Sequence, residues 1–140
     1  MAISLDGPDA ASHDGFRRVE GSFARTMFGL EYARQIGLAT QINTTVTRYN
    51  LGRMDEIAGL VRAYGARLWS VFFLVATGTA SASQELSAEE YEEVFHFCTI
   101  CQKQRHSISR QPKLSITGAT WHSSERPRAP LANVFRRLRR

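Results

Sequence analysis

The sequence has few of the residues from which redox and metal sites are built. Its only cysteines, Cys98 and Cys101, form a single Cys-x-x-Cys. A structural zinc site needs a second pair of ligands, and only His96 and His106 lie nearby. A thioredoxin-like pair stands where a helix begins after a strand, whereas this pair follows a predicted helix. The pattern therefore favours inert thiols.

Long apolar runs are also absent. No stretch reaches the roughly 20 residues that span a bilayer, and residues 1–7 lack the basic leader and apolar core of a secretory signal. We therefore expect a cytoplasmic protein with no membrane partner. A chain of 140 residues with 43% hydrophobic content predicts one modest core.

Acidic residues are nearly absent from the last third of the chain. Residues 1–97 contain 8 Lys/Arg and 12 Asp/Glu, whereas residues 98–140 contain 10 Lys/Arg and only Glu125. The second segment is also rich in Gln, Arg, Ser and Pro and shows no apolar periodicity, which is typical of disorder. The sequence thus predicts a core over 1–97 and an irregular or disordered basic tail over 98–140. Such a tail indicates either nucleic-acid or membrane binding or a different origin from the body.

The body of the chain shows the pattern of a parallel α/β sheet. Two runs of strand type, residues 38–46 and 67–75, flank an amphipathic helical segment over residues 54–64. Strand, helix and strand at this spacing form a βαβ unit whose strands run parallel. Parallel sheets place their chemistry at the carboxyl ends of the strands.

The flanking segments extend this pattern to three β/α steps. Residues 3–5 end a strand, residues 13–15 read as loop, and Ser22 caps a helix that Gly37 stops. Ser87 and Glu90 form a capping box that begins a further helix. This alternating order of strands and helices predicts a β/α barrel or a doubly wound sheet.

Several of these segments together carry a family resemblance. They are Ser-Leu-Asp-Gly at 4–7, His-Asp at 13–14, Gly-Ser-Phe at 21–23, Gln-Ile-Asn-Thr-Thr-Val at 41–46 with Asn50, and Trp-Ser-Val-Phe-Phe-Leu-Val at 69–75. Over residues 2–97 the chain resembles the central and later part of a radical S-adenosylmethionine (radical SAM) enzyme, in the branch of molybdenum-cofactor, pyrroloquinoline-quinone and heme maturases.

The resemblance implies a fold and a chemistry. The fold is part of a partial (β/α)6 TIM-like barrel, with residues 1–6, 38–46 and 67–75 as its fourth, fifth and sixth strands. The intact family are oxidoreductases that hold a [4Fe-4S] cluster through Cys-x-x-x-Cys-x-x-Cys. They cleave SAM to a 5′-deoxyadenosyl radical, here for maturation of a small-molecule cofactor or a peptide substrate.

The resemblance also implies three cofactor-binding residues. Ser4 matches a hydroxyl that contacts the amino-acid or ribose part of SAM, and Asn43 matches a polar position near SAM and substrate. Val75 matches the strand end whose backbone brackets adenine. Asp6 is expected to orient the turn after Ser4, while Gln41 stands where relatives with phosphorylated substrates carry Lys. No catalytic residue and no metal ligand is assigned.

The cluster motif is absent from this chain. We therefore expect a fragment that binds neither SAM nor the cluster stably, is inactive alone, and requires an upstream half-protein. In addition, one choice of codons for residues 98–103 encodes Tyr-Asp-Leu-Ser-Lys in a shifted frame, which matches the family continuation. This suggests a frameshift near Phe97 that places 98–140 out of frame.

Two alternatives remain open at this point. The chain could be a small basic protein that binds nucleic acid or anions through its tail, although the acidic body disfavours nucleic acid. It could instead be a noncatalytic α/β module that completes a partner's sheet through its strand edges. Among the individual residues, Trp69, Phe72 and Phe73 are interpreted as core, and the pair at 13–14 as structural.

Overall fold

The computed structural model describes residues 1–74, 85–104 and 113–117. These residues form four strands, four α-helices and one short 3-10 turn. In chain order the elements are β1 (Ala2–Ser4), α1 (Ala10–Arg17), α2 (Ser22–Gln35), β2 (Gln41–Val46), the 3-10 turn (Leu51–Arg53), α3 (Met54–Ala63), β3 (Leu68–Phe73), α4 (Ala88–Gln104) and β4 (Lys113–Thr117).

The four strands form one parallel sheet in the order β1-β2-β3-β4. Each strand follows the previous one through a segment that contains at least one helix. The predicted parallel α/β architecture is therefore confirmed, with the two long strands shortened to Gln41–Val46 and Leu68–Phe73. Closure into a barrel stays a prediction.

The core lies between one face of the sheet and the helices α2, α3 and α4. Along β2 the buried and half-buried residues alternate, as expected for a strand with two different faces. Trp69 and Phe73 are buried in this core, which confirms their interpretation, whereas the half-buried Phe72 lies on the opposite face. The strand and helix side chains of the core include Ile42, Val46, Trp69, Val71, Phe73, Leu30, Ile57, Val61, Val94 and Phe97.

The prediction of a loop at residues 13–15 was wrong, because this segment lies within α1. Asp9 is the N-cap, and its carboxylate accepts hydrogen bonds from Ser12 N–H and Ser12 Oγ, each at 2.8 Å. A cap of this kind satisfies amides that the first helical turn leaves free. Asp9, rather than His13 or Asp14, is the local signal that was overlooked.

Two other caps were predicted from sequence, with different outcomes. The capping box is confirmed: Ser87 N–H donates to Glu90 Oε2 at 2.7 Å, and Glu90 N–H donates to Ser87 Oγ. At α2, however, the cap position is Gly21, and Ser22 is already helical. The carboxylate that binds this terminus comes from α1, since Asp14 accepts from Phe23 N–H at 2.7 Å.

The expectation of an irregular tail was wrong for the part of 98–140 that is described. Helix α4 continues from residue 98 to Gln104, and β4 pairs with β3 in register from Leu68↔Lys113 to Phe72↔Thr117. The alternating sequence Lys-Leu-Ser-Ile-Thr at 113–117 is a period-2 pattern too short to stand out from its basic surroundings. Regular structure therefore does not end at residue 97.

Within the described ranges, the helices are too short or too polar to cross a membrane.

Candidate functional site

A row of polar side chains crosses the sheet on the face opposite the core. Ser4 pairs with Asn43, Asn43 with Ser70, and Ser70 with Ser115, one residue from each strand. Partners in register on parallel strands project to the same face, about 4.8 Å apart, so this polar row extends over roughly 14 Å. Ser4, Asn43 and Ser115 are half-buried and Ser70 is buried.

The structure brings together two of the three predicted cofactor-binding residues. Ser4 and Asn43 are direct neighbours on β1 and β2. The structure records no hydrogen bond from Ser4 Oγ, or from Asn43 Nδ2, to the described residues, whereas Asn43 Oδ1 accepts from Gln41 Nε2 at 2.8 Å. The amide donor Asn43 Nδ2 and the hydroxyl Ser4 Oγ therefore lie side by side on adjacent strands. Val75 lies outside the described residues.

A buried carboxylate ties the carboxyl ends of β1 and β2 together. Asp6 is fully buried, and its Oδ1 accepts from Thr45 N–H at 2.7 Å. Asn50 Nδ2 donates to the carbonyls of Asp6 at 2.9 Å and Thr45 at 2.8 Å. These bonds satisfy backbone groups of Thr45, near the end of β2, and of Asp6, beyond the end of β1. They connect the two strands just beyond Ser4 and Asn43, and the expectation that Asp6 orients the turn after Ser4 stays a prediction.

Helix α1 completes the environment of this carboxylate. Arg17 Nε donates to Asp6 Oδ2 at 2.6 Å, with the Arg17 side chain 38% exposed. His13 Nδ1 accepts from Asp6 N–H at 3.0 Å, which leaves the proton of the neutral ring on Nε2. Burial lowers the pKa of His13. Burial thus favours the neutral ring, whose Nδ1 accepts a backbone hydrogen bond at the end of β1, in agreement with its structural interpretation.

Gly7 allows α1 to lie against the end of β1. A Cβ added at this position would lie 2.6 Å from the amide nitrogen of His13 and 2.4 Å from Ser12 Oγ. Only a residue without a side chain fits so close an approach. The structure therefore explains both residues of the Asp6-Gly7 pair: Asp6 bonds to β2 and α1, and Gly7 leaves room for α1.

An open cleft lies beside Ser4 along the outer edge of β1, with a volume of about 430 Å³. Its polar lining combines hydroxyl groups with basic side chains: Ser4, Ser22, Thr26, His13, Arg17 and Arg25. The charge of Arg17 is balanced by Asp6, whereas Arg25 donates to the backbone carbonyl of Glu20 at 3.1 Å. The cleft therefore offers hydroxyl and basic groups beside the apolar Ile3 and Val19 to a ligand that also reaches Ser4.

The two cysteines lie on α4, away from the polar row. Cys98 is fully buried in the core cluster, and burial raises its pKa to about 12. Burial also raises the pKa of Cys101. Both groups are therefore neutral thiols near pH 7 and poor metal ligands or nucleophiles. Within residues 1–74, 85–104 and 113–117, no three His, Cys, Asp or Glu side chains come together as metal ligands could.

Sequence reasoning missed two members of the polar row, Ser70 on β3 and Ser115 on β4, and the contact of Gln41 with Asn43. Ser70 stands between large apolar residues on β3, and Ser115 stands in the basic tail, so neither drew attention. The resemblance marks Gln41 only as the residue at a Lys position, whereas in the structure its side chain donates to Asn43, two residues later. The period of two along β2, which places residues 41 and 43 on one face, is the signal that could have found this pair.

Known proteins with similar sequences include enzymes that use S-adenosylmethionine (AdoMet). The chain is 51% identical over 98 residues to the AdoMet-dependent heme synthase of Nitratidesulfovibrio vulgaris, a match that covers 69% of this chain and 27% of that protein. It is 39% identical over 104 residues to the AdoMet-dependent heme synthase of Methanosarcina barkeri, covering 74% and 30%.

A third relative carries a different name. The chain is 43% identical over 69 residues to mycofactocin maturase MftC of Mycobacterium ulcerans, covering 49% of this chain and 18% of that protein. No family model matches the chain. The chain spans about a quarter of the length of the curated heme synthases that it matches.

Proposed function

Because this chain belongs to the radical SAM family, matching about a quarter of the length of its heme-synthase relatives, we propose that it supplies the SAM-facing strands of a cofactor- or peptide-maturation enzyme. The observation that carries the proposal is the in-register pair Ser4–Asn43 on adjacent parallel strands. The names of the relatives support the class of reaction, since two are AdoMet-dependent heme synthases and a third is a mycofactocin maturase.

The described residues fit part of a SAM molecule. Ribose hydroxyls and an amino-acid carboxylate both accept hydrogen bonds, and Ser4 Oγ and Asn43 Nδ2 are donors on one face, with the open cleft beside Ser4. In this proposal Ser4 contacts the ribose or amino-acid part, and Asn43 contacts the cofactor where it approaches the substrate. The backbone at Val75 brackets adenine, a role that lies outside the described residues.

The described residues do not fit a [4Fe-4S] cluster. Such a cluster needs three closely spaced thiolates, and here both cysteines are on one helix, where burial raises their pKa values. The family's reductive cleavage of SAM is therefore not assigned to this chain alone. We propose that the chain is inactive by itself and works with a cysteine-bearing segment of an upstream half-protein.

Titration of the full chain with S-adenosylhomocysteine tests the cofactor role. We expect weak, saturable binding in the millimolar range that perturbs the NMR signals of Ser4 and Asn43. Loss of one neutral hydrogen bond, about 1 kcal/mol, should weaken binding about fivefold in Ser4→Ala and in Asn43→Ala. Thr99→Ala, on the exposed side of α4, is the matched control and should bind as wild type. Equal affinity in all four proteins would contradict the proposal.

Chemical reconstitution tests the proposed inactivity. The full chain treated with iron, sulfide and dithionite should form no 5′-deoxyadenosine from SAM. If the isolated chain does cleave SAM under these conditions, the fragment interpretation is wrong.

A further inference from the structure

Gln41 is the side chain that connects Asn43 to the rest of the polar row. It is the first residue of β2, and its backbone N–H donates to the carbonyl of Met1 at 2.7 Å. Its side chain lies on the same face as that of Asn43, because the two are separated by one residue of the strand. From this position the carboxamide reaches both β2 and β3.

Both hydrogens of the Gln41 carboxamide are used. Nε2 donates to Asn43 Oδ1 at 2.8 Å and to Ser70 Oγ at 3.2 Å. Ser70 is only 5% exposed, so this anchor on β3 is shielded from water. A primary amide has two N–H donors, and two fixed acceptors determine how it is turned.

The orientation of Gln41 in turn determines that of Asn43. Since Oδ1 of Asn43 is taken by Gln41, the two hydrogens of Nδ2 point to the other side. No hydrogen bond of Nδ2 to the described residues is recorded. The side chain next to Ser4 is therefore a donor, and what it binds must bring an acceptor atom, for which a carboxylate oxygen gives the strongest hydrogen bond.

We propose that Gln41 is a positioning residue, which holds Asn43 with Nδ2 facing the ligand and so selects a carboxylate or similar acceptor oxygen at this point of the sheet. The inference rests on the proposed function in taking this face as the ligand face. The oxygen comes either from the amino-acid carboxylate of the cofactor or from a carboxylate of the substrate. The chemistry required of Asn43 is the same in both cases.

Side-chain amide exchange tests the orientation without any ligand. In the full chain labelled with ¹⁵N-Gln and ¹⁵N-Asn, we expect slow hydrogen exchange at Gln41 Nε2 and fast exchange at Asn43 Nδ2. If both carboxamides were rotated by 180°, the same three groups would bond, Asn43 Nδ2 would be the protected amide, and the proposal would be overturned.

Ligand titration then tests the selection. Gln41→Glu keeps the shape of the side chain but replaces its donors by acceptors, so Asn43 must rotate and present Oδ1. We expect at least a tenfold loss of affinity for S-adenosylhomocysteine and less than a twofold change for 5′-methylthioadenosine, which lacks the carboxylate. The neutral Gln41→Met, which leaves Asn43 free to rotate, should lose threefold to fivefold. Gln35→Glu, on the exposed end of α2, controls for the added charge.

The probes separate the two sources of the oxygen. A shift of the Asn43 Nδ2 signal by S-adenosylhomocysteine assigns it to the cofactor, and a shift by glutarate alone assigns it to a substrate carboxylate. The second result would refute the cofactor role proposed above while supporting the role of Gln41. No shift with either probe, or equal affinities in wild type and Gln41→Glu, would overturn the positioning role.

Discussion

Replacement of the buried Asp6 carboxylate should destabilise the chain and loosen the Ser4–Asn43 pair. In Asp6→Asn the Oδ1 acceptor for Thr45 N–H is kept, but an amide donor now faces Arg17. A charge-assisted hydrogen bond contributes about 1.5–3 kcal/mol, and the 38% exposure of Arg17 lets water replace part of it. We therefore expect a loss of about 2 kcal/mol in the free energy of unfolding.

Asp6→Ala removes both contacts and should cost more. Thr45 N–H is then left without its acceptor at 2.7 Å, which adds about 1–3 kcal/mol and gives a total of about 4 kcal/mol. Urea unfolding followed by tryptophan fluorescence measures both losses. Hydrogen exchange should show the Thr45 amide protected in Asp6→Asn and unprotected in Asp6→Ala.

An exposed carboxylate provides the control. Glu20→Gln changes the charge equally but has an exposed side chain, and it should unfold within about 0.5 kcal/mol of wild type. The reasoning is refuted if Asp6→Asn and Asp6→Ala both fall within the same range as Glu20→Gln.

Three further predictions concern groups around the site and the core. Thr44→Val should lower the free energy of unfolding by about 2 kcal/mol, as measured in urea. The reason is that the buried Thr44 Oγ1 donates to the Leu5 carbonyl at 2.7 Å and accepts from Trp69 Nε1 at 2.9 Å. Thr44→Ser keeps the hydroxyl and should cost less. Burial lowers the pKa of His13 in the folded state, so the unfolded chain binds more protons below about pH 6.5, and stability should fall as the pH drops through that value. A pH series in which the stability of His13→Ala shows the same slope would contradict this. Because burial raises the pKa of Cys98 to about 12, its thiol should resist alkylation at pH 8 until the chain is unfolded, and rapid labelling of the native chain would show the site to be open.

The strands and their direction could be predicted because their signals are local. β2 and β3 are rich in β-branched and aromatic residues, and the helix between them has a regular apolar period, so a parallel pair was the simplest arrangement. Ser87 and Glu90 lie three residues apart, which makes their capping box readable from sequence. Short spacing alone was not sufficient, because the Asp9 cap of α1 and the Gln41–Asn43 hydrogen bond are equally local and were missed.

The interactions that join distant elements could not be predicted in the same way. Asp14 caps a helix that begins after an intervening turn, and Asp6 bonds to Thr45 across the sheet. The polar row depends on register between four strands, which a single sequence does not specify beyond its pattern of faces. Ser70 and Gln41 therefore became part of the site only when the strands were paired.

The proposed frameshift and the boundary at residue 97 stay predictions. Helix α4 crosses that boundary with Cys98 buried in the core, and β4 adds a further β/α step, features that the frameshift hypothesis does not predict. Resequencing of the locus decides the matter. A shifted frame that encodes a family-like continuation would support the hypothesis, and a shifted frame that does not would end it.

The central claim is that this stretch of chain forms the SAM-facing part of a radical SAM core. It is tested most directly by a chimera in which this chain's matched residues replace the corresponding 98-residue stretch of the Nitratidesulfovibrio vulgaris heme synthase. The account predicts that the chimera, loaded with its cluster and reduced, forms 5′-deoxyadenosine from SAM, and that Ser4→Ala and Asn43→Ala within it slow this reaction. A folded, cluster-loaded chimera that leaves SAM intact would contradict the claim.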